Sequence, residues 1–225
     1  MSAASGIPTF RGSDGLWKSF RPERLATAEA FAADPKLVWE WYDWRREMIS
    51  GCRPNRAHQV LAAWSHRFEK FNLITQNVDG LHEQAGTEGV TRFHGSIWEV
   101  FCWTGCPDSP ERWMDRTAPF GFLPPPCPYC EGIIRPGVVW FGEGIIPETL
   151  ERAASALTCD VFLTIGTSSL VYPAASLSAT ARARGAFTAE VNLDPTPASD
   201  RFDMSIHGPA EIILGEIDAL LPASE

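Results

Sequence analysis

The sequence predicts an α/β fold: a Rossmann-like parallel sheet with a small metal-binding module inserted into it. Three observations point there. Short apolar runs recur at Phe71-Asn72-Leu73-Ile74-Thr75, Val161-Phe162-Leu163-Thr164-Ile165-Gly166 and 187–193, each ending near Gly, Asn or Thr. Runs of that kind fill strands buried on both faces of a parallel sheet. Helix-patterned stretches alternate with them. Between about 95 and 135 the alternation stops, and prolines and cysteines take over.

The elements follow in order. Residues 1–16, rich in Gly, Ser and Pro, read as loop. Residues 22–33 carry Leu25, Ala26, Ala28, Ala30 and Phe31 and predict a helix closed by Asp34-Pro35. In 36–50, Leu37, Val38, Trp41, Trp44, Met48 and Ile49 fall on one helical face. Residues 56–68 predict a third helix, 173–184 a later one, and Asp194-Pro195 ends the last strand. Ligands of parallel sheets sit at the carboxyl ends of strands, which directs attention to 75–81, 166–169 and Asn192.

Composition narrows the function. Nineteen Lys and Arg against 28 Asp and Glu give a net charge of −9 over 225 residues. Such a chain is a poor binder of nucleic acid or anionic lipid. It has no run of eighteen apolar residues and no signal-peptide layout, so a cytoplasmic protein with no membrane or nucleic-acid partner is expected, as a monomer.

The four cysteines of the insert are Cys102 and Cys106, with three residues between them, and Cys127 and Cys130, with two between them. Thiolates at such spacings take two corners of a tetrahedron, and two pairs close a structural Zn2+ site with no position left for water. Buried thiols or disulfides are the alternative, which a cytoplasmic setting disfavours. Cys52 and Cys159 read as ordinary core residues.

Three further stretches exceed composition. They are Ser5-Gly6-Ile7-Pro8-Thr9-Phe10-Arg11-Gly12; Thr75-Gln76-Asn77-Val78-Asp79-Gly80-Leu81-His82 with Phe93-His94-Gly95; and Arg135-Pro136-Gly137-Val138-Val139-Trp140-Phe141-Gly142-Glu143 with 166–175. Strand-end amides and hydroxyls suit ribose and phosphate oxygens, and a glycine-flanked His94 can act as a general base. In this order, around a four-cysteine insert, the motifs closely resemble the sirtuins, NAD-dependent protein deacylases, over nearly the whole chain.

The resemblance implies a Rossmann-type domain over 1–94 and 136–225, with a helical insert at about 17–55, and a zinc module over 95–135, with NAD+ as co-substrate in the cleft between them. It implies Phe10 and Arg11 over the cofactor, Gln76, Asn77 and Asp79 at the nicotinamide and its ribose, and Gly166, Thr167, Ser168 and Asn192 at phosphate and adenosine ribose. His94 matches the catalytic base. Val139, Phe141, Gly142 and Glu143 match one strand clamping an acyl-lysine peptide, and 169–172, with Val171, the other. Tyr42 and Arg45, three apart on a helix, share a face. They resemble the Tyr-x-x-Arg pair of class III sirtuins, which prefer succinyl-, malonyl- and glutaryl-lysine, with Ala26 leaving the pocket roomy. The implied partners are acylated proteins. An exposed Arg beside a half-buried Tyr is the plainer reading of the pair.

Sirtuins open with an apolar strand and Gly-Ala-Gly-x-Ser; here Met1 falls at the x and Ser2 at the Ser. That first strand would be central, so the expectation is a gap in the sheet, low stability and a weakened cofactor site. Mono-ADP-ribosyl transfer and a regulatory NAD-binding module with little turnover remain the rival readings.

Overall fold

The computed structural model describes residues 1–9 and 21–222. The predicted first helix is two: α1 (Pro22–Leu25) and α2 (Ala28–Ala33). The break falls at Ala26-Thr27, where Thr27 leaves helical dihedrals and its hydroxyl accepts from the Ala30 amide as an N-cap. Helix α3 (Pro35–Ser50) starts one residue earlier than predicted, with Asp34 capping and Pro35 in its first turn. Helix α4 (Arg56–Arg67) opens on a capping box between Asn55 and His58.

The apolar run at 71–75 yields only a two-residue strand, β1 (Ile74–Thr75). Its one partner, parallel β2 (Thr91–Arg92), is itself two residues long and follows the short helix α5 (Leu81–Gln84). The insert forms an antiparallel sheet of β3 (Gly95–Cys102), β4 (Trp113–Met114) and β5 (Ile134–Val138), in the order β4-β3-β5. After α6 (Pro147–Ala156) the chain builds β6 (Val161–Ile165), α7 (Leu177–Ala183), β7 (Phe187–Asn192), β8 (Met204–His207) and α8 (Ala210–Leu220). Strands β6, β7 and β8 pair in that order, all parallel.

The parallel sheet is therefore in two pieces. Strands β1 and β6 line one trough but are not hydrogen-bonded to each other. Met1 lies at the end of this trough, its nitrogen 2.5 Å from where a side chain on Gly166 would begin. No helix among the described residues is long and apolar enough to cross a membrane.

Two main cores hold the halves. One packs Phe31, Val38, Trp39 and Tyr42 of the helical insert against Ile97, Trp98, Val100 and Ile134 of the antiparallel sheet. The other packs Val60, Leu61 and Trp64 of α4 against Val191 and Leu214. Cys52 and Cys159 are half-buried, each packed at the edge of a hydrophobic core cluster.

Candidate active site

The cleft between the parallel strands and the antiparallel module is continuous with the trough and measures about 2460 Å³. Ordinary small-ligand pockets hold roughly 300–1,000 Å³, so a dinucleotide and an extended peptide have room together. Its walls carry Gln76, Asn77, Asp79, His94, Gly166, Thr167, Ser168 and Asn192 from the strand ends, with Val171 a few residues beyond Ser168, and Ala26, Tyr42, Arg45, Val139, Phe141, Gly142 and Glu143 from the opposite side. Phe10 and Arg11 lie outside the described residues.

Thr167 ties the two halves of the parallel sheet together at their carboxyl ends. Its hydroxyl accepts from the Gln76 amide at 3.3 Å, and its carbonyl accepts from the Asn192 amide at 2.7 Å. Asn77 donates to the Ser2 hydroxyl at 2.9 Å. Asp79, buried, accepts the Leu81 amide at 2.9 Å, and the Trp98 indole donates to its carbonyl at 2.7 Å. This set of amides, hydroxyls and one carboxylate fits the ribose, phosphate and amide groups of NAD+.

His94 follows β2. Its Nδ1 sits 3.2 Å from the Gln76 carbonyl, an acceptor only, so that nitrogen carries the proton and Nε2 keeps its lone pair. Burial lowers the imidazole pKa below the usual value, against a smaller opposing effect of the Gln76 carbonyl. The ring is thus a neutral base at pH 7. Gly95, directly after it, has φ +74, and a side chain there would meet the Gly137 carbonyl at 2.1 Å. Only glycine lets β3 and β5 approach so closely behind the base.

Tyr42 and Arg45 are both buried, at 1% and 3% exposure, which sets aside the exposed-helix reading. The Arg45 guanidinium lies 4.9 Å over the Trp41 ring, and burial lowers its pKa to about 10, so it remains a cation at neutral pH. Tyr42 accepts from the Trp140 indole at 2.9 Å. Ala26 lies in the α1–α2 break, where its carbonyl is available to take the Phe141 amide at 2.9 Å.

In the segment after β5, the Val139 amide donates to the His94 carbonyl and the Trp140 amide to Glu143. The Glu143 carboxylate turns inward, bound at 2.6 and 3.1 Å by Arg135. Trp140 and Arg135, quoted in the motif but given no site role from sequence, join this cluster. Across the cleft, Ser169 adopts φ +55, and Leu170 and Tyr172 are exposed.

Away from the cleft, the sulfurs of Cys102, Cys106, Cys127 and Cys130 all lie within 4.8 Å of one another, with Cys102–Cys130 at 3.7 Å and Cys106–Cys127 at 3.9 Å. A tetrahedron with Zn–S bonds of about 2.3 Å has edges of about 3.8 Å. The four thiols fit a structural zinc ion, and the Gly132 amide already donates to the Cys130 sulfur at 3.3 Å.

Comparison with known proteins places the chain. The chain is 50% identical over 205 residues to a protein named NAD-dependent protein deacylase from Aquifex aeolicus, covering 91% of this chain and 84% of the relative. It is 44% identical over 226 residues to NAD-dependent protein deacylase 1 of Pseudomonas aeruginosa, covering 96% and 89%. A solved Sir2 homologue in complex with ADP-ribose superposes with a TM-score of 0.91 at 43% identity, over 97% of this chain and 86% of that one. A Sir2 homologue bound to NAD gives 0.89 at 44% identity, over 97% and 84%. The Sir2 family model itself matches residues 1–173, from the strand-end amides through the base and the four cysteines to the far wall of the cleft; the chain belongs to the Sir2 family.

Proposed function

We propose that the protein is an NAD-dependent protein-lysine deacylase that prefers acyl chains ending in a carboxylate, succinyl and malonyl over acetyl, and yields nicotinamide and O-acyl-ADP-ribose. The buried Tyr42–Arg45 pair carries this reading. A guanidinium buried in the wall gains more from an incoming carboxylate than one in water does, and Arg can grip it bidentately.

Bound NAD+ supplies an electrophilic ribose carbon with nicotinamide as leaving group. His94 Nε2 takes a proton from a ribose hydroxyl, while its Nδ1–H, fixed on the Gln76 carbonyl, keeps that lone pair aimed into the cleft. Asn77 and Asp79 hold the nicotinamide end; Gly166, Thr167, Ser168 and Asn192 hold phosphate and adenosine ribose. The peptide lies between 139–143 and 169–172. Because the Val139, Trp140 and Phe141 amides donate within the protein, it is met through Gly142 and the segment's carbonyls, and Glu143 braces the wall. Residues 95–135 act as the zinc module and the rest as the cofactor domain. The protein works as a cytoplasmic monomer on acylated proteins.

The test is nicotinamide release from NAD+ with succinyl-, malonyl- and acetyl-lysine versions of one peptide. Release that needs the acylated peptide supports deacylation; release without it points to ADP-ribosyl transfer. Arg45→Ala removes a charge-assisted pair of about 1.5–3 kcal/mol, so the succinyl-to-acetyl ratio of kcat/KM drops about ten- to a hundredfold. An unchanged ratio overturns the preference.

A further inference from the structure

We infer that Trp140 is a specificity-positioning residue: its indole N–H fixes the Tyr42 hydroxyl as a hydrogen-bond donor toward the acyl end of the substrate. The inference rests on the carboxylate reading above and adds to it the polarity of the wall. An indole N–H donates and never accepts, so at 2.9 Å in a buried contact the Tyr42 oxygen is the acceptor. The hydroxyl's single proton is directed elsewhere. The charged side chains nearest in electrostatic reach are Arg45, Arg135 and Glu143. The two arginines offer only donors, and the Glu143 carboxylate is engaged by Arg135 and the Trp140 amide. The Tyr42 proton therefore points into the cleft that Tyr42 lines.

The indole is itself held in place. The Arg135 guanidinium stacks 3.5 Å from its ring centroid, Phe31 packs at 5.3 Å, and Glu143 binds both Arg135 and the Trp140 main chain. Tyr42 and Arg45 then form a surface made of donors alone. Such a surface matches an acyl end that only accepts, an ionised carboxylate, and mismatches one of the same length ending in an amide NH₂, whose own donors meet donors.

The experiment measures kcat and KM on one peptide bearing succinyl-lysine, succinamyl-lysine (the terminal amide) or acetyl-lysine. The enzymes are the full chain, a variant with Trp140 replaced by the isosteric benzothienylalanine, Trp140→Phe and Tyr42→Phe. Benzothienylalanine keeps the ring shape and deletes only the N–H. The expected result is a three- to tenfold fall in the succinyl-to-acetyl ratio of kcat/KM, appearing in the succinyl KM, with a smaller gap between succinyl and succinamyl peptides. Equal loss on succinyl and acetyl peptides, or no loss, overturns the role of Trp140. If Tyr42→Phe collapses the succinyl preference and benzothienylalanine does not, Trp140 alone is refuted. If the unaltered enzyme has no succinyl preference, the carboxylate reading falls and takes this inference with it.

Discussion

The Arg46 guanidinium, with no exposed side-chain surface, lies 2.8 Å from the Asp115 carboxylate and also donates to the Asp115 carbonyl. It is sandwiched between the Trp98 ring at 5.3 Å and the Phe120 ring at 4.8 Å. Its chain neighbour Arg45 faces the cleft. One helix, α3, thus turns Tyr42 and Arg45 to the cleft on one side and carries a buried ionic anchor to the cysteine module on the other.

Asp115→Ala leaves a buried cation with its counter-charge removed. Breaking such a pair costs about 3–5 kcal/mol, which urea unfolding of the two proteins measures directly. A change below about 1 kcal/mol means the anchor is unimportant.

His94 is lowered by burial, so its protonation sets the acid limb of the rate profile. The base form prevails above the folded-state pKa, and activity falls as pH drops through it. The acid limb of kcat/KM lies below the ordinary histidine value of about 6.5. A limb above pH 7 contradicts the buried-base geometry.

His58 offers a separate stability test. Burial lowers its pKa to about 3, with further lowering from His82, whose ring is 4.9 Å away. The unfolded chain binds a proton near pH 6.5 that the folded chain refuses until about pH 3, so stability is lost as pH falls across that window. Gln at this third helical position keeps the capping box without titrating. His58→Gln therefore flattens the fall of unfolding free energy between pH 6 and 4 by up to about 1.4 kcal/mol per pH unit. Parallel curves for the two proteins rule this out.

Strands β1 and β6 face one trough, and Met1 lies at its carboxyl end. Residues added before Met1 enter the trough there and run parallel to both edges. An apolar strand ending in a glycine turn raises Tm by at least about 4 °C, because it pairs both edges and buries their apolar surface. It also lowers the Kd for NAD+. A gain in neither overturns this account of the split sheet.

Much of this architecture is legible in the sequence. The Asp34-Pro35 signal and the apolar face of 36–50 locate α3 to within one residue. The run at 161–166 gives β6. The same logic overextends β1, because an apolar run shows burial but not the length of the partner it pairs with. The sequence reading assigns nothing to β8 and α8. Strand β8 is four residues without an apolar run, but α8 carries Ile213, Leu214 and Ile217 at helical spacing, a signal that was readable. In the site, the motif residues of the strand ends gather around one cleft. The sequence marks Trp140 and Glu143 as parts of one motif, but not the contact of Trp140 with Tyr42, 98 positions away, nor the pairing of Glu143 with Arg135, because both depend on the folded geometry.

Asn192 opens a loop that folds back on the fully buried Glu190. The Glu190 carboxylate accepts from the Thr196 hydroxyl at 2.7 Å and from the Ser199 hydroxyl, and the Ser199 oxygen takes the Thr196 amide at 2.8 Å. The stretch of cleft wall formed by Asn192 and Thr196 is consequently tied down before anything binds. Its ordering entropy is already spent in folding, so a ligand that meets this wall loses less affinity to ordering it.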